Sequence, residues 1–318
     1  MTVYILRRII LAIIILLVVT LIVFMAMRLL PGDPIFMVLT TGDMNNITTE
    51  EIERVRQEYG LDRPLIVQYF NWLTDLVQGD LGDSIVQKQA VSIEIFRRVP
   101  ITLNLSIIAL IIALCVGIPA GIICALKRGR WMDTLVTIFA NLGITMPSFW
   151  LGYLLIYVFA LQFHWLPAQG YTTPGEDFGK YLSQIIMPIF CLSIFPIASM
   201  TRQTRSSMLE VLRQDYIRTA WAKGLVERRV IFKHALKNGL IPVITLCGMS
   251  LSYIIGGSVI IETVFNVPGM GRMLVNAVFA HDYPVVQGCV FIIALTVLTV
   301  NILVDISYGW LDPRIRYS

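Results

Sequence analysis

The residue types that bind metals or perform acid–base and nucleophilic chemistry are sparse in this sequence, and their spacing matches no catalytic pattern. The histidines, His164, His234 and His281, lie far apart, and no HxxxH or HExxH pattern of a zinc site occurs. No nucleophile elbow and no Ser–His–Asp arrangement points to hydrolysis. The phosphate-binding pattern GxxxxGK followed by Ser or Thr is missing too. The sequence therefore predicts a chain that is not an enzyme, holds no metal or cofactor of its own, and binds neither ATP nor nucleic acid.

The five cysteines follow the apolar residues rather than each other. None lies in the polar region near the N-terminus, and no CxxC pair occurs. We therefore expect each to be a small buried apolar side chain. They are Cys115, Cys124, Cys191, Cys247 and Cys289.

The most basic stretch of the chain surrounds the sequence RTAWAKG, residues 218–224. Apolar residues recur there at four-residue spacing, which predicts an amphipathic helix that Gly224 is suited to end. The sequence VERRVIFKHALKN then predicts a second short helix, ending at Asn238-Gly239. Composition alone leaves three interpretations open: a segment lying on anionic lipid, a solvated loop, or a plug for a soluble partner. The apolar stripe comprises Met208, Leu212, Tyr216 and Ala220, with Leu209 and Ile217 beside them.

The elements that must position this segment are apolar helices. Of the 318 residues, 56% are hydrophobic and only 14% are charged, whereas a soluble domain usually carries about 25% charged residues. A membrane span needs roughly 20 apolar residues. The first run has the basic start of a signal peptide but is too long and lacks a convincing cleavage site, so we expect it to be retained. Six runs without Asp, Glu, Lys or Arg predict six transmembrane helices: 9–27, 99–126, 134–175, 181–201, 238–261 and 283–304.

Basic residues are distributed unevenly over the loops between these runs. Sixteen Lys and Arg fall on the face that carries the termini, and only Lys180 and Arg272 lie in the short loops of the other face. Because basic loops stay in the cytoplasm, both termini are predicted to be cytoplasmic, in a multi-pass protein of the plasma (inner) membrane. The loop 31–98, with net charge −5, is then extracytoplasmic, and 202–237, with net charge +6, is cytoplasmic.

Segments on the predicted outer face have helical patterns of their own. Thr48-Thr-Glu-Glu51 forms a capping box that opens a short helix ending at Gly60. Residues 64–77 have helical periodicity but are too short to span, so they either cap the helix bundle at the membrane surface or dock an extracellular partner. Residues 265–284 predict a turn and a short helix that re-enters from outside.

Polar or helix-breaking residues inside the apolar runs mark a candidate pathway. Pro147, in GITMPSFW, frees a backbone carbonyl and favours a kink, which indicates either a bent packing helix or a gate. Glu262 and Asp305 end apolar runs, where an acidic residue is either hydrated, paired or functional.

Nearly the whole chain, from Leu6 to Tyr317, resembles the permease subunits of peptide/nickel-type ATP-binding-cassette importers. The matching stretches are LRRIILA, RLLPGDP, GITMPSFWLG, QDYIRTAWAKGL, HALKNGLIPV, GGSVIIETVFNVPGMGRMLV, DYPVVQG and LVDISYGWLDPRIRY.

The resemblance is specific to this branch of the importers. Their general coupling loop reads Glu-Ala-Ala, three residues, Gly, nine residues, Ile, any residue, Leu-Pro, and here only Ala220, Gly224 and Leu236 match it. The Ile position holds His234. The peptide/nickel branch has Arg-Thr-Ala in the first three positions, as this chain does, although Trp221 stands where Arg is usual.

The resemblance implies an all-α integral membrane protein with the type I importer permease fold. Six transmembrane helices are expected, with a structured extracytoplasmic loop after the first. The implied parts are an N-terminal transmembrane helix, 1–30, the extracytoplasmic loop, 31–98, a permease domain, 99–305, that contains the coupling loop 202–237, and a cytoplasmic tail, 306–318.

The resemblance also assigns roles to residues. The coupling loop would dock in a cleft of a separate ATPase, through Asp215, Tyr216, Arg218, Thr219, Ala220, Trp221, Ala222, Lys223, Gly224, His234 and Leu236. Candidate pathway or gate residues are Met146, Pro147, Phe149, Trp150, Glu262, Pro268, Gly269 and Gly271.

The implied function is that of a permease forming half of the translocation pathway for di- or oligopeptides in an ATP-driven importer. The implied partners are a second, homologous permease in a heterodimer, two ATPases that bind ATP and Mg, an extracytoplasmic solute-binding protein, and membrane lipid. Nickel chelate, glutathione and heme are alternative solutes within the family. Outside the family, the alternative is a secondary transporter or channel that works without ATP.

Overall fold

A computed structural model of the chain describes residues 2–29, 53–54, 56–57 and 60–311. Within these residues, α-helices are joined by turns, and the β pairing of Asp83 with Ala90 is an isolated bridge. The α-helices are α1 Thr2–Leu29, α2 Leu65–Val77, α3 Val91–Leu126, α4 Trp131–Thr145, α5 Ser148–Leu155, α6 Phe178–Val211, α7 Asp215–Ala222, α8 Glu227–Arg229, α9 Leu236–Gly239, α10 Ile241–Val264, α11 Met270–Phe279 and α12 Tyr283–Leu311. Two π-helical turns, Ile156–Gln162 and Val230–Ala235, continue α5 and α8.

The long helices carry the membrane spans. Five of them, α1, α3, α6, α10 and α12, are long and apolar enough to cross a bilayer. The pair formed by α4 and α5 with its π-helical turn is a sixth candidate, bent by 103° at its break. The prediction of six spans is confirmed when this bent pair is counted as one.

The bend lies at Met146 and Pro147, as the sequence predicted. Met146 leaves the helical region with ψ 124°, and Pro147 follows with ψ 130°. Proline disfavours helical geometry at the residue before it, so α4 must end there. Proline is well suited to start the next helix, and α5 begins directly after it.

Helix boundaries differ from the apolar runs where charged residues continue the helix. α3 begins at Val91 rather than at residue 99, because Glu94 pairs with Arg98 at 2.9 Å, one helical turn away. The first turns of α3 therefore fall within the predicted extracytoplasmic segment 31–98. α12 likewise continues to Leu311, into the predicted tail 306–318.

The segment before α2 is described only in part. The predicted capping box at 48–51 and most of its helix lie outside the described residues. Gly60, the predicted end of that helix, has φ +62°, a conformation that favours glycine. The predicted helix at 64–77 is present as α2.

The described chain divides into two compact units. The first comprises Met1–Ile5, Leu103–Val267 and Thr299–Ser318. At its centre α6 packs against α4 and α10. Within the same unit α3 approaches α6 closely, since a Cβ on Gly121 would lie 2.6 Å from the carbonyl oxygen of Thr201. Gly117 and Gly121 form a GxxxG pattern, which suits such close backbone contact in a membrane.

The second unit comprises Leu6–Thr102 and Pro268–Leu298. We call its residues 65–95 and 270–289 the clasp region. Asp282, which is 3% exposed, accepts hydrogen bonds from Ser84 Oγ at 2.5 Å and from the backbone nitrogen of Ile85 at 3.2 Å. These bonds join the turn after α2 to the turn before α12. The hydrophobic core of this region includes Leu76, Leu81, Ile85, Val91, Ile95, Met270, Met273, Tyr283, Val286 and Cys289.

The cysteine prediction is only partly correct. Cys124, Cys191 and Cys289 are buried, but Cys115 is exposed and Cys247 is half-buried, and none of the five forms a disulfide in the described part of the chain. Lipid is as apolar as a helix-packing surface, so an apolar run does not reveal which of its faces is buried.

Candidate functional site

The basic stretch begins with a turn that the sequence did not predict. α6 ends at Val211, and α7 starts anew after Gln214, whose ψ of 148° is extended. The prediction of one continuous amphipathic helix through this stretch is therefore wrong. Of the side chains predicted on or beside the apolar stripe, Ile217 and Ala220 are buried, whereas Tyr216, after the turn, is 43% exposed.

Gly224 ends α7 as predicted, with φ +76°. The backbone nitrogen of Leu225 donates to the carbonyl of Ala220 at 3.4 Å, and that of Gly224 donates to Trp221 at 2.9 Å. This pair of bonds is a Schellman motif, in which the residue after the cap normally has positive φ. The motif turns the chain sharply between two helical arms.

The second arm runs from Glu227 to Gly239 as α8, a π-helical turn and α9. Its end is tied to the first arm, because Asn238 Nδ2 donates to the Tyr216 hydroxyl at 2.8 Å. A Cβ at Gly239 would lie 2.8 Å from Met208 Sδ, so glycine allows α9 to approach α6. We call residues 215–239 the hinged segment.

The hinged segment has a small hydrophobic core shared with the ends of the spans. Leu225, the residue after the Schellman glycine, packs against this core, as is usual for the motif. The core therefore holds both arms on the long helices. Its buried members are Ala125, Met208, Ile217, Ala220, Val230, Ile231 and Ala235.

The outward face of the hinged segment combines apolar and basic side chains. Val226 is 73% exposed, Phe232 58% and Trp221 43%. The ion pair between Arg218 and Asp215, at 3.5 Å, is fully accessible to water and contributes little to stability. The exposed basic residues around these apolar side chains are Arg218, Lys223, Arg228, Arg229, Lys233 and Lys237.

An ion pair fixes α6 just before it enters the turn. Arg205 Nε lies 2.7 Å from Asp133 Oδ1, and Arg205 Nη2 lies 2.9 Å from Asp133 Oδ2. The backbone nitrogen of Gly129 donates to the same carboxylate at 3.0 Å. Sequence reasoning missed this pair. The only local signal was a single acidic residue following the basic turn at 127–130 and preceding an apolar run.

The structure brings the predicted coupling residues together in one segment, though on different faces of it. Ala220 is in the core, and His234 and Leu236 are half-buried. The remaining predicted residues are exposed: Asp215, Tyr216, Arg218, Thr219, Trp221, Ala222, Lys223 and Gly224.

Five predicted pathway residues lie in the first unit. Met146 and Pro147 form the bend, and Phe149 and Trp150 are exposed on α5. Glu262 is fully buried near the end of α10. The backbone of that end is held by Gly170, whose nitrogen donates to the carbonyl of Phe265 at 3.1 Å.

The other three pathway candidates lie in the second unit. Pro268, Gly269 and Gly271 surround the start of α11. There the backbone nitrogen of Met270 donates to the Thr102 hydroxyl at 2.9 Å, which satisfies an otherwise unpaired donor of the first turn. In the described part of the chain, no group of three or more His, Cys, Asp or Glu is arranged to hold a metal ion.

Two family models match the chain. The model described as "Binding-protein-dependent transport system inner membrane component" matches residues 117–317. The model of the corresponding N-terminal region matches residues 1–106.

Relatives are similar over their full length. A protein of Brucella abortus (strain 2308), provisionally named a peptide transport system permease, is 43% identical over 318 residues, with 100% of both chains covered. The oligopeptide transport system permease protein AppB of Bacillus subtilis (strain 168) is 41% identical over 320 residues, again with 100% of both chains covered.

Among solved structures, a chain of the MetNI methionine ABC transporter in an inward-facing conformation aligns with a TM-score of 0.57 and 16% identity. The alignment covers 69% of this chain and 96% of that chain. The likeness shows the fold, and it confirms the predicted importer permease architecture.

Proposed function

We propose, for a chain that belongs to the family of binding-protein-dependent transport system inner membrane components, that the hinged segment is its docking element for a separate ATPase. Family membership makes the chain a non-catalytic, multi-pass permease subunit of an ABC importer that works with ATPase and binding-protein partners. The alternative of a transporter or channel that works without ATP is set aside by this membership. Our proposal concerns which residues couple the chain to the ATPase, what it carries, and how it is oriented.

One observation supports the coupling role. Trp221, Val226 and Phe232 are exposed apolar side chains among basic residues. A purely solvated loop gains nothing from exposing such residues. Aromatic side chains surrounded by charged ones are typical of protein-binding surfaces, where a few large residues supply most of the affinity. A segment lying on lipid would also expose apolar side chains, so ATPase retention by variants of these residues decides between the two roles.

Coupling also requires that the docked segment move as a body with the spans. The shared core around Ile217 and Val230 ties both arms to α6 and α3. The two-point contact between Arg205 and Asp133 fixes α6 to the start of α4. When ATP draws two ATPases together, a segment held in this way transmits the displacement to α6 and, through the ion pair, to α4.

The coupling role is tested by weakening the apolar face without changing the fold. The double variant Trp221→Ser/Phe232→Ser removes two exposed side chains, and Phe279→Ser, at a residue 76% exposed on α11, is the matched control. We expect the double variant to reach the membrane normally but to retain about tenfold less ATPase on co-purification. Unchanged ATPase retention together with unchanged uptake would reject the docking role.

We further propose that the bend at Met146 and Pro147, the residues Phe149 and Trp150, and buried Glu262 contribute to the pathway within the first unit. Pro268, Gly269 and Gly271 have the same proposed role in the second unit. A second, homologous permease would complete the pathway in a heterodimer. Cysteine labelling at residue 149, performed with and without transported solute, tests the assignment. Equal labelling in both states would contradict it.

We propose that the transported solute is a di- or oligopeptide, because the full-length relatives are named peptide or oligopeptide permeases. The reconstituted complex with its binding protein should take up labelled peptide when hydrolysable ATP is supplied. Uptake of a nickel chelate, glutathione or heme in place of peptide would identify one of the alternative solutes and reject this assignment.

We propose that both termini and the hinged segment lie on the cytoplasmic side of the plasma (inner) membrane, and that the clasp region lies on the opposite side. The uneven distribution of Lys and Arg supports this orientation. A phosphatase that is active only outside the cytoplasm should be active when inserted after Gln87 and inactive when inserted after Val226. The reverse pattern would overturn the orientation.

A further inference from the structure

A cavity of about 490 Å³ lies in the second unit, between the end of α1, helix α2 and the start of α12. Three buried nitrogen atoms of its lining residues have no hydrogen-bond partner in the part of the chain that the structure describes. They belong to the side chains of Arg28, Trp72 and Gln287. Buried polar groups in native proteins are nearly always hydrogen-bonded, so three such atoms around one cavity indicate a ligand.

The first of these donors is held in place by its neighbours. Arg28 Nε donates to Gln68 Oε1 at 3.1 Å, and Gln68 in turn donates to the carbonyl of Arg63 at 2.7 Å. The guanidinium carbon lies 3.6 Å from the centre of the Phe24 ring. With one edge bonded and one face stacked, the guanidinium presents its unpaired Nη1 in a fixed direction.

The other two donors belong to rigid surroundings as well. Gln287 is only 3% exposed and lies in the first turns of α12. The Trp72 ring stacks with Phe24 at a centroid distance of 6.2 Å. All three unpaired atoms are N–H donors, and one carries a positive charge. Such a set fits an oxyanion, since hydrogen bonds to a charged acceptor are the strong ones.

The rest of the cavity limits the kind of oxyanion. Asp75 and Asp83 also line it and are exposed, together with Arg63, so two carboxylates are available to a ligand that carries a cation beside its anion. A second pocket of about 260 Å³ shares Arg28 and Tyr283 with this cavity. Its apolar lining residues are Met25, Leu29, Leu61 and Leu65.

The cavity also lies at the level where lipid headgroups are found. Arg28 is in the last turn of the candidate span Ile5–Leu29, and Tyr283 is the first residue of the candidate span Tyr283–Ile306. Arg, Trp and Tyr at span ends typically lie at the boundary between hydrocarbon and water. A phosphate at this depth therefore comes more readily from a phospholipid than from solution.

We propose that this cavity binds one phospholipid with an amine headgroup. Its phosphate oxygens accept hydrogen bonds from Arg28, Trp72 and Gln287, and its ammonium group lies near Asp75 and Asp83. One acyl chain enters the apolar pocket next to Arg28. Such a lipid would hold α1, α2 and the start of α12 together as a structural component of the clasp region.

The test uses the assembled transporter, purified in detergent and washed free of loosely bound lipid. Phosphatidylethanolamine, phosphatidylglycerol, diacylglycerol and inorganic phosphate are titrated separately, with retained lipid measured by mass spectrometry and the unfolding midpoint by heating. We expect phosphatidylethanolamine to be retained at about one molecule per chain and to raise the midpoint most. Trp72→Phe and Gln287→Met should each weaken its binding by about tenfold, because each removes one charge-assisted hydrogen bond. Trp131→Phe, at a residue 73% exposed, is the control and should change nothing.

Several results would overturn the proposal. Equal retention by the wild type and by both variants would mean that the three donors do not bind the lipid. A midpoint raised by inorganic phosphate but not by phosphatidylethanolamine would assign the site to a free anion. If phosphatidylglycerol were retained and raised the midpoint as much as phosphatidylethanolamine, the carboxylates of Asp75 and Asp83 would not recognise a headgroup amine. Without lipid, Gln287→Met should unfold at the wild-type midpoint or above it, because an unpaired buried donor is a cost. A lower midpoint for this variant would show that the Gln287 donor is paired within the protein.

Discussion

The hinged segment and the clasp region are both made of short helices joined by tight turns, yet they use polar and apolar groups in opposite ways. The clasp region buries a carboxylate, Asp282, and satisfies it internally with Ser84 and Ile85. The hinged segment leaves Val226 and Phe232 exposed among basic residues. The clasp region satisfies this buried charge within the protein, whereas we propose that the exposed side chains of the hinged segment are covered by its ATPase partner.

The two regions are also anchored differently. The clasp region is closed by contacts between segments far apart in sequence, such as Ser84 with Asp282. The hinged segment is closed by local contacts, such as the Schellman motif at Gly224, and its hydrophobic core attaches it to α3 and α6, which Arg205 in turn fixes to α4. A disruptive substitution should therefore unfold the clasp region, whereas in the hinged segment it should weaken the coupling to the ATPase.

The largest effect is expected at the ion pair that anchors α6. Arg205→Met would leave the Asp133 carboxylate, only 5% exposed, with Gly129 as its remaining partner, and should cost about 3 kcal/mol in the free energy of unfolding. Asp133→Leu should cost less, because the Arg205 side chain is 31% exposed and reaches water. Detergent unfolding of both single variants and the double variant measures the coupling. If the free-energy changes of the two single variants added up to that of the double variant, the interaction between Arg205 and Asp133 would contribute nothing to stability.

The next largest effect is expected at the buried acid of the clasp region. Asp282→Ala leaves the Ser84 hydroxyl and the backbone nitrogen of Ile85 without an acceptor, which should cost about 2 kcal/mol or more. Ser84→Ala removes one of these donors together with its bond and should cost about 1 kcal/mol. Proteolysis of the turn after α2 should accelerate in the first variant, while ATPase retention by correctly folded molecules stays normal. If Asp282→Ala instead lowered ATPase retention without unfolding the clasp region, the hinged segment would not be the only region that couples to the ATPase.

Local features of both regions could be predicted from the sequence, because their causes lie within a few residues. Pro147 breaks its helix through its own ring, and Gly224 adopts positive φ because the Schellman motif requires it. The same holds for α2, which helical periodicity predicted almost to its ends. The runs of apolar residues predicted the spans because a bilayer fixes their length.

Long-range contacts could not be predicted in the same way. The sequence around Asp133 does not indicate that Arg205 is its partner, and the sequence around Asp282 does not indicate Ser84. Only the fold brings the members of each pair together. The unpredicted turn at 212–214 had a similar effect on the candidate site. It started a new helix with a different phase, in which Ile217 and Ala220 remain on the buried face but Tyr216 does not.

A smaller effect is expected from tight packing in the clasp region. A Cβ on Gly288 would lie 2.9 Å from Val91 Cγ1 and 3.2 Å from Ile95 Cδ1. Both contacts are to side chains that shift only against their own neighbours, so Gly288→Ala should lower the free energy of unfolding by about 1–2 kcal/mol. Gly256→Ala, at a helical glycine with no atom within 4 Å of the added carbon, is the control and should be neutral or stabilising. Equal stability of the two variants would mean that the clasp region is loosely packed.

The smallest change in stability, with the most specific consequence, is expected at Gly224. Its φ is +76°, and a Cβ there would have no atom within 4 Å, so Gly224→Ala is opposed by backbone geometry alone, at about 1 kcal/mol. Gly79 is a matched control, because it has φ +85° and equally open surroundings, but it lies outside the hinged segment. Alanine at either position should therefore lower stability by the same amount.

Only the change at Gly224 would tilt α7 against the second arm and displace the exposed face that carries Trp221 and Val226. Gly224→Ala should thus weaken ATPase retention several-fold where Gly79→Ala does not, and Gly224→Val should weaken it further, since a β-branched residue tolerates positive φ least. Co-purification of the ATPase followed by ATP-driven uptake measures both consequences. If the two alanine variants behaved alike in retention and in uptake, the turn would be a structural joint without a role in coupling. The hinged segment would then be closed on itself, as the clasp region is.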